Sequence, residues 1–375
     1  MPSAVRSYSK INLGLAIGAP RPDGFHSLTT LYQTLALHDL VTVTARPAYR
    51  TRIQLTSNDP RVPRDGRNTA WKMVVKVLEH LEIAAVITLR IQKNLPIQGG
   101  MGAGSANAAA ALLGLERELN LQLTQADRLR LAAEVGSDVP LFLVGGSVLG
   151  SDRGQIVSAV PDVALNGLAE IPCVIALTDT GVSTPQAFRD WDALLAADSG
   201  PHLHNPAKRD TLNELSRTYA SVFGNEVMTA GSGASGILPE PSPALAPDSL
   251  EKQQGLSREQ LHSVLQKDES GFEIDLAENS LLALVRTGIE NDFETVVFPQ
   301  NPLLGAIKRH LMGNLDEGSS AIYAALSGSG SALFGLYRSN ADAKAGQQRL
   351  QQHNVRAIVT STIGRSLYWS GMFAE

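Results

Sequence analysis

The sequence predicts a two-domain α+β protein with its site in the cleft between an N-terminal and a C-terminal lobe. Three observations predict it. The chain has 375 residues, 43% apolar and 18% charged, which is more than one small core accommodates and too little charge for a disordered chain. A strand pattern, a glycine-rich loop and an alanine-rich helix follow one another between residues 85 and 119. Towards the end, strand and helix patterns alternate as far as residue 362.

Polar and apolar residues partly alternate over 5–17 and again over 40–45, on either side of the turn-rich GAPRPDGFHSL, so the opening is β-rich. Ala70, Met73, Val74, Val77, Leu78 and Leu81 fall at helical spacing and predict a helix over 68–81 with one buried face, capped by Asn68 or Thr69. A strand over 85–92 leads into LPIQGGMGAGSA and a helix to about residue 119. A further helix follows over 124–135, then GSDVPLF as a loop and GGSVLGSDRGQIVSAV as a hairpin. The first domain closes near residue 160, and the second runs over 161–375. The second opens with a strand over 172–177, and GVSTPQAF leads into a helix. From about 197 to 267 the pattern fails in favour of Gly, Ser, Pro and Ala, which reads as a flexible insertion. Helices over 277–287 and 302–312, a strand pair around LSGSGSA, a helix over 341–353 and a strand over 355–362 complete the chain.

The 32 Lys+Arg stand against 37 Asp+Glu, a net charge of -5, which excludes the footprint of a general nucleic-acid binder. No run reaches the roughly 18 apolar residues of a membrane span, and the opening MPSAVRSYSKINLG turns polar before a signal-type core forms, so the expectation is a cytoplasmic protein without a membrane partner. The single Cys173 excludes intramolecular disulfides and cysteine metal sites, and reads as a buried apolar residue. A zinc site is weak, since the close pair His202 and His204 lies in the irregular segment, and no G-x-S-x-G elbow suggests a hydrolase.

Four glycines, Gly99, Gly100, Gly102 and Gly104, precede Ser105 where a helix opens. Such a loop lets backbone N–H groups and the positive end of the helix dipole hold a phosphate; its bland reading is a tight turn between sheet and helix. It is neither a Walker A loop, which needs G-K-[ST], nor a G-x-G-x-x-G dinucleotide fingerprint. The second turn, residues 326–332, reads equally as an anion nest and as a plain hairpin. By default Lys10 is a lysine on a solvated strand face and Asp138 a loop aspartate. Phosphoryl transfer to an alcohol, however, needs a carboxylate to take the hydroxyl proton and a cation beside it. Spacing alone does not bring the two together.

Ser9 to Leu13, Arg21 to His26, Leu95 to Asn107, Gly136 to Pro140, Val182 to Pro185, Asn291 to Glu294 and Leu326 to Ala332 resemble the GHMP kinases over most of the chain. The resemblance implies the two-lobed fold of that superfamily, an N-terminal domain carrying the phosphate loop, and ATP with Mg²⁺ as cofactors, the magnesium ligands being unassigned. The Asp23-Gly24-Phe25-His26 segment beside Lys10 and Asn12 points, by resemblance, to a small-molecule acceptor, 4-diphosphocytidyl-2-C-methyl-D-erythritol, phosphorylated on its 2-hydroxyl. It implies Asp138 as general base with Lys10 as its cationic partner, and Asn12 orienting the substrate. It implies ATP contacts at Asn68, Lys93, Pro96, Gly99, Gly100, Met101, Gly102, Ala103, Gly104, Ser105 and Ala106. His26 would hydrogen-bond the cytosine edge between Phe25 and Phe188, and Thr184 would touch the methylerythritol. Three departures stand out: Ala106 replaces a usual serine, Phe25 a usual tyrosine, and the 197–267 insertion is longer than the family pattern. Ala106 also motivates a rival, a nucleotide-binding protein without turnover, while homoserine- or mevalonate-type acceptors remain alternatives that need no His26.

Overall fold

Strand-forming patterns make the opening of the chain a pair of long antiparallel strands, β1 (Ser3–Pro20) and β2 (His26–Pro47). The computed structural model describes residues 2–97, 99–197, 279–314 and 319–374. Composition predicts only 40–45 of β2, because residues 29–35 are buried on both faces and Thr29, Thr30, Gln33 and Thr34 hide the alternation. The later half of β2 pairs with β4 (Ala85–Gln92), which lies parallel to β3 (Arg52–Ser57), a strand the composition does not reveal. The earlier half, Thr30 to Gln33, pairs with β5 (Ser147–Ser151), and β5 forms the expected hairpin with β6 (Ile156–Ala159).

Three helices accompany this sheet. In α1 (Thr69–His80) the expected face is buried through Ala70, Met73, Val74, Val77 and Leu78, and the Asn68 side chain caps it by accepting from the Ala70 N–H at 2.9 Å. In α2 (Ala103–Leu119) every residue from 106 to 116 is buried, which its alanines permit; at Gly114 an added Cβ would lie 2.5 Å from Val43 Cγ2. α3 (Gln125–Val135) ends in a turn followed by a 3₁₀ segment, Pro140–Leu143, whose four side chains are all buried, so GSDVPLF is anchored chain.

A second, antiparallel sheet is built from β7 (Pro172–Leu177), β8 (Tyr323–Leu326), β9 (Leu333–Leu336) and β10 (Arg356–Ser361) in the order β10-β7-β9-β8. The described helices here are α4 (Thr184–Ala197), α5 (Ser280–Arg286), α6 (Phe293–Gln300), α7 (Pro302–Met312) and α8 (Asn340–Gln352). α6 contains Pro299 and has no sequence signal of its own. After β10 the chain returns to the first sheet through α9 (Arg365–Ser370) and β11 (Phe373–Ala374), whose Phe373 pairs with Val5. Residues 198–267, which hold nearly all of the expected insertion with His202 and His204, lie outside the described residues. Among the described residues no helix is long and apolar enough to cross a membrane.

Candidate active site

Lys10 does not lie on a solvated strand face. It is 2% exposed, and its Nζ stands 3.4 Å from Asp138 Oδ2 and donates to Asn12 Oδ1 at 2.6 Å. Asn12 is held by donating to Thr30 Oγ1 at 2.7 Å, so its amide positions the lysine from below. The turn before the buried 3₁₀ segment presents Asp138, whose side chain is 34% exposed. The carboxylate therefore faces the opening while the ammonium backs it. Its other oxygen, Oδ1, accepts from the buried Tyr32 hydroxyl at 3.0 Å. Burial holds the Lys10 ammonium below the usual lysine pKa, and Asp138 offsets part of that. Burial, with the Asp138 charge, raises Tyr32 well above the usual tyrosine range, so it stays a protonated donor. The cation of the pair is lost as pH rises through its lowered pKa. The alkaline limb of a kcat against pH profile is therefore expected below the ordinary lysine value, and a limb at or above that value would remove Lys10 from the rate.

The glycine loop sits directly over this pair. The Met101 carbonyl accepts from the Lys10 backbone N–H at 3.1 Å, and at Gly102 (φ 70°) an added Cβ would lie 2.8 Å from Phe142 Cζ, in the segment behind Asp138. Gly102 is also the N-cap of α2, and the first helical bond of that end runs from Ala106 N to Gly102 O at 2.8 Å. The N–H groups of Ala103, Gly104 and Ser105 precede that bond and have no intrahelical acceptor, which suits an anion. The two glycine turns meet. Ser327 Oγ donates to the Gly100 carbonyl at 3.0 Å, and Gly99 bridges to Ser331. The turn over 326–332 is thus a partner of the phosphate loop as well as a hairpin turn.

The side chains of and before the loop are engaged within the protein. Met101 and Ala106 are 2% and 1% exposed and their side chains belong to cores, which leaves their backbone to face a ligand. The Lys93 ammonium is paired with the fully buried Asp39. Asp39, which sequence reasoning missed, also accepts from the Asn94 and Leu95 N–H groups at 2.7 and 2.8 Å, and so fixes the approach to the loop. Asp39→Ala leaves the Lys93 charge buried without a counter-charge and is expected to destabilise the fold by about 3–5 kcal/mol. A urea midpoint unchanged from the parent protein would show the pair to be dispensable. Asn68 is engaged as the α1 cap and also donates to Pro63 O at 3.0 Å. At the end of β4, Thr56, Ser57, Asn58, Arg90, Ile91 and Gln92 line a cleft of about 410 Å³, and Asn58 ties it to the chain leading into the loop by accepting from the Lys93 N–H at 2.7 Å. Of the other loop positions, Pro96 is half-buried and Gly104 exposed.

Further along β2, His26 Nε2 donates to Asp192 Oδ1 at 2.7 Å. A carboxylate can only accept, so Asp192 fixes that proton on Nε2 and leaves Nδ1 to a ligand. Asp192 comes from α4 and has no motif that marks it. The Phe188 ring stacks on His26 at 4.7 Å and meets Phe293 edge-on at 5.0 Å, while Phe25, 51% exposed, lies beneath the Arg153 guanidinium at 4.6 Å. Phe188 is a wall behind His26. Thr184 Oγ1 is 2.6 Å from Ser329 Oγ, joining the start of α4 to the second glycine turn. Among the described residues no three His, Cys, Asp or Glu side chains gather as a metal site.

With this geometry in place, comparison with known proteins is specific. Residues 68–146 match the model described as GHMP kinases N terminal domain, and residues 262–356 that described as GHMP kinases C terminal. A 4-diphosphocytidyl-2-C-methyl-D-erythritol kinase of Nocardioides sp. (strain ATCC BAA-499 / JS614) is 40% identical over 51% of this chain and 63% of its own length, a little under two thirds. Proteins of the same name from Rhodococcus jostii (strain RHA1) and Solibacter usitatus (strain Ellin6076) are 36% and 32% identical, covering 61% and 89% of this chain and 72% and 81% of their own. A crystal structure of 4-(cytidine 5'-diphospho)-2C-methyl-D-erythritol kinase superposes with a TM-score of 0.58 at 21% identity, over 96% of this chain and 99% of that one.

Proposed function

The chain belongs to the GHMP kinases and, among them, to the 4-diphosphocytidyl-2-C-methyl-D-erythritol kinases, and from that premise we propose that ATP-dependent phosphorylation of the acceptor's 2-hydroxyl, a step of isoprenoid biosynthesis by the methylerythritol phosphate route, runs on Lys10 and Asp138. The observation that carries this reading is their meeting at 3.4 Å directly beneath the glycine loop. Asp138, open to the cleft, accepts the hydroxyl proton as the oxygen attacks the γ-phosphorus of ATP. Lys10 keeps the carboxylate ionised beforehand and offsets the charge that develops on the attacking oxygen. The free amides of residues 103–105 hold the phosphates in line, and the cleft at 56–58 and 90–92 receives the base of ATP. Mg²⁺ bound to the triphosphate would neutralise part of its charge. The cytosine of the acceptor lies on the open face of Phe25 with its edge at His26 Nδ1, and the methylerythritol reaches Thr184. We place the lobe boundary near residue 160, with 1–160 and 161–375 as the two parts and the last strand returned to the first sheet, and we place the reaction in the cytoplasm.

The test is ADP formation by the purified chain with ATP, Mg²⁺ and each of several acceptors. Turnover with the cytidyl acceptor and none with homoserine, mevalonate or water is expected. Turnover with homoserine or mevalonate instead would keep the kinase and discard the acceptor. ATP binding without acceptor-dependent ADP would favour a non-catalytic nucleotide-binding protein.

A further inference from the structure

The turn between β5 and β6 brings a guanidinium without an acidic partner to the base end of the acceptor site. Arg21 occupies the acids of this corner: Nη2 is 3.1 Å from Asp23 Oδ2, and Nη1 contacts Asp152 Oδ1. Arg153, the next residue after Asp152, forms no ion pair among the described residues, and its Nε is buried without a hydrogen-bond acceptor. Such a group is destabilising unless something supplies an oxygen. The turn that carries it is built, since Gln155 accepts from the Arg153 backbone N–H at 2.9 Å and its own amide donates to Asp152.

The neighbours of Arg153 define where it stands along the site. On one side its guanidinium covers one face of Phe25, the residue before His26. On the other side Gly154 packs against Tyr32, so closely that an added Cβ would lie 2.6 Å from the hydroxyl that donates to Asp138. The order along this edge is base-binding ring, unpaired cation, reacting carboxylate. The acceptor has the matching order of base, diphosphate and alcohol. A guanidinium presents several N–H donors in a fork that matches phosphate oxygens. We propose that Arg153 recognises the diphosphate of the acceptor and so makes this site select a nucleoside diphosphate over the free nucleoside. The inference rests on the function proposed above.

The test compares CDP and cytidine as ligands, with a non-hydrolysable ATP analogue saturating the nucleotide site, by titration calorimetry on the parent protein, Arg153→Gln and Arg153→Lys. The parent is expected to bind CDP about tenfold or more tightly than cytidine. Arg153→Gln should lose that advantage and keep cytidine affinity, Arg153→Lys should retain part of it, and the acceptor KM of Arg153→Gln should rise by a larger factor than kcat falls. Equal losses for CDP and cytidine would overturn the proposal, since Arg153 would then only support Phe25. A CDP advantage that survives in Arg153→Gln, or its absence from the parent, would overturn it as well. The reaction is tested separately: ADP formation that fails with the cytidyl acceptor removes the acceptor reading, while the CDP comparison still decides Arg153.

Discussion

Asp138→Asn is expected to lower kcat by about 10²- to 10⁴-fold, the usual contribution of a positioned general base, with ATP affinity nearly unchanged. An amide is close to a carboxylate in size, and its oxygen still accepts from Tyr32, so the turn on the 3₁₀ segment should persist. What is lost is the proton acceptor that faces the cleft, together with the charge that offsets the burial of Lys10. The α2 amides and the cleft at the end of β4 are untouched. Steady-state turnover together with binding of a fluorescent ATP analogue separates the two effects. Near-normal turnover, with melting and ATP binding like those of the parent, would remove Asp138 from the reaction.

Gly100→Ala is expected to open the junction between the two glycine turns. Gly100 has φ 74°, and a Cβ there would stand 1.9 Å from the Ser327 carbonyl oxygen and 2.8 Å from its carbon. Both are backbone atoms of a turn held from behind: Asn291 Nδ2 donates to Leu326 O and Gly328 O, each at 2.8 Å, and Glu294 Oε1 accepts from the Leu326 N–H at 2.8 Å. No rotamer change relieves such a contact, so one loop must move. The expected loss is about 2–4 kcal/mol of stability, with at least a roughly tenfold rise in the KM for ATP. Gly24→Ala is the control. Gly24 has φ 79° and nothing within 4 Å of the added Cβ, so only backbone strain of about 1 kcal/mol is expected, without an effect on ATP. Equal effects of the two substitutions would show that backbone conformation and not the approach of the turns governs the loop.

The parts of this molecule written locally were legible in its sequence. The buried face of α1 and its Asn68 cap follow from helical spacing and a side chain that competes for a free N–H, and the glycine loop announces the start of α2. Lys10 and Asp138 lie far apart in the chain with unremarkable neighbours, and only resemblance to a known family pairs them. Tyr32, Asp39 and Asp192 were not legible at all. Each acquires its role from a partner brought up by the fold: Asp138 across β2, Lys93 with the loop amides, and His26 from another element. Phe188 likewise meets His26 and Phe293 only once α4 packs on α6. From the motif Asn291 to Glu294, two side chains hold the second glycine turn.

The most direct test of the account is the position of the transferred phosphate. After incubation of the parent protein with ATP, Mg²⁺ and 4-diphosphocytidyl-2-C-methyl-D-erythritol, phosphorus and carbon NMR of the product should show one new phosphomonoester, coupled to the carbon that bears the 2-hydroxyl, in amounts equal to the ADP formed. A phosphate on any other hydroxyl would contradict the placement of that alcohol against Asp138, and ADP formed without a phosphorylated acceptor would contradict the reaction itself.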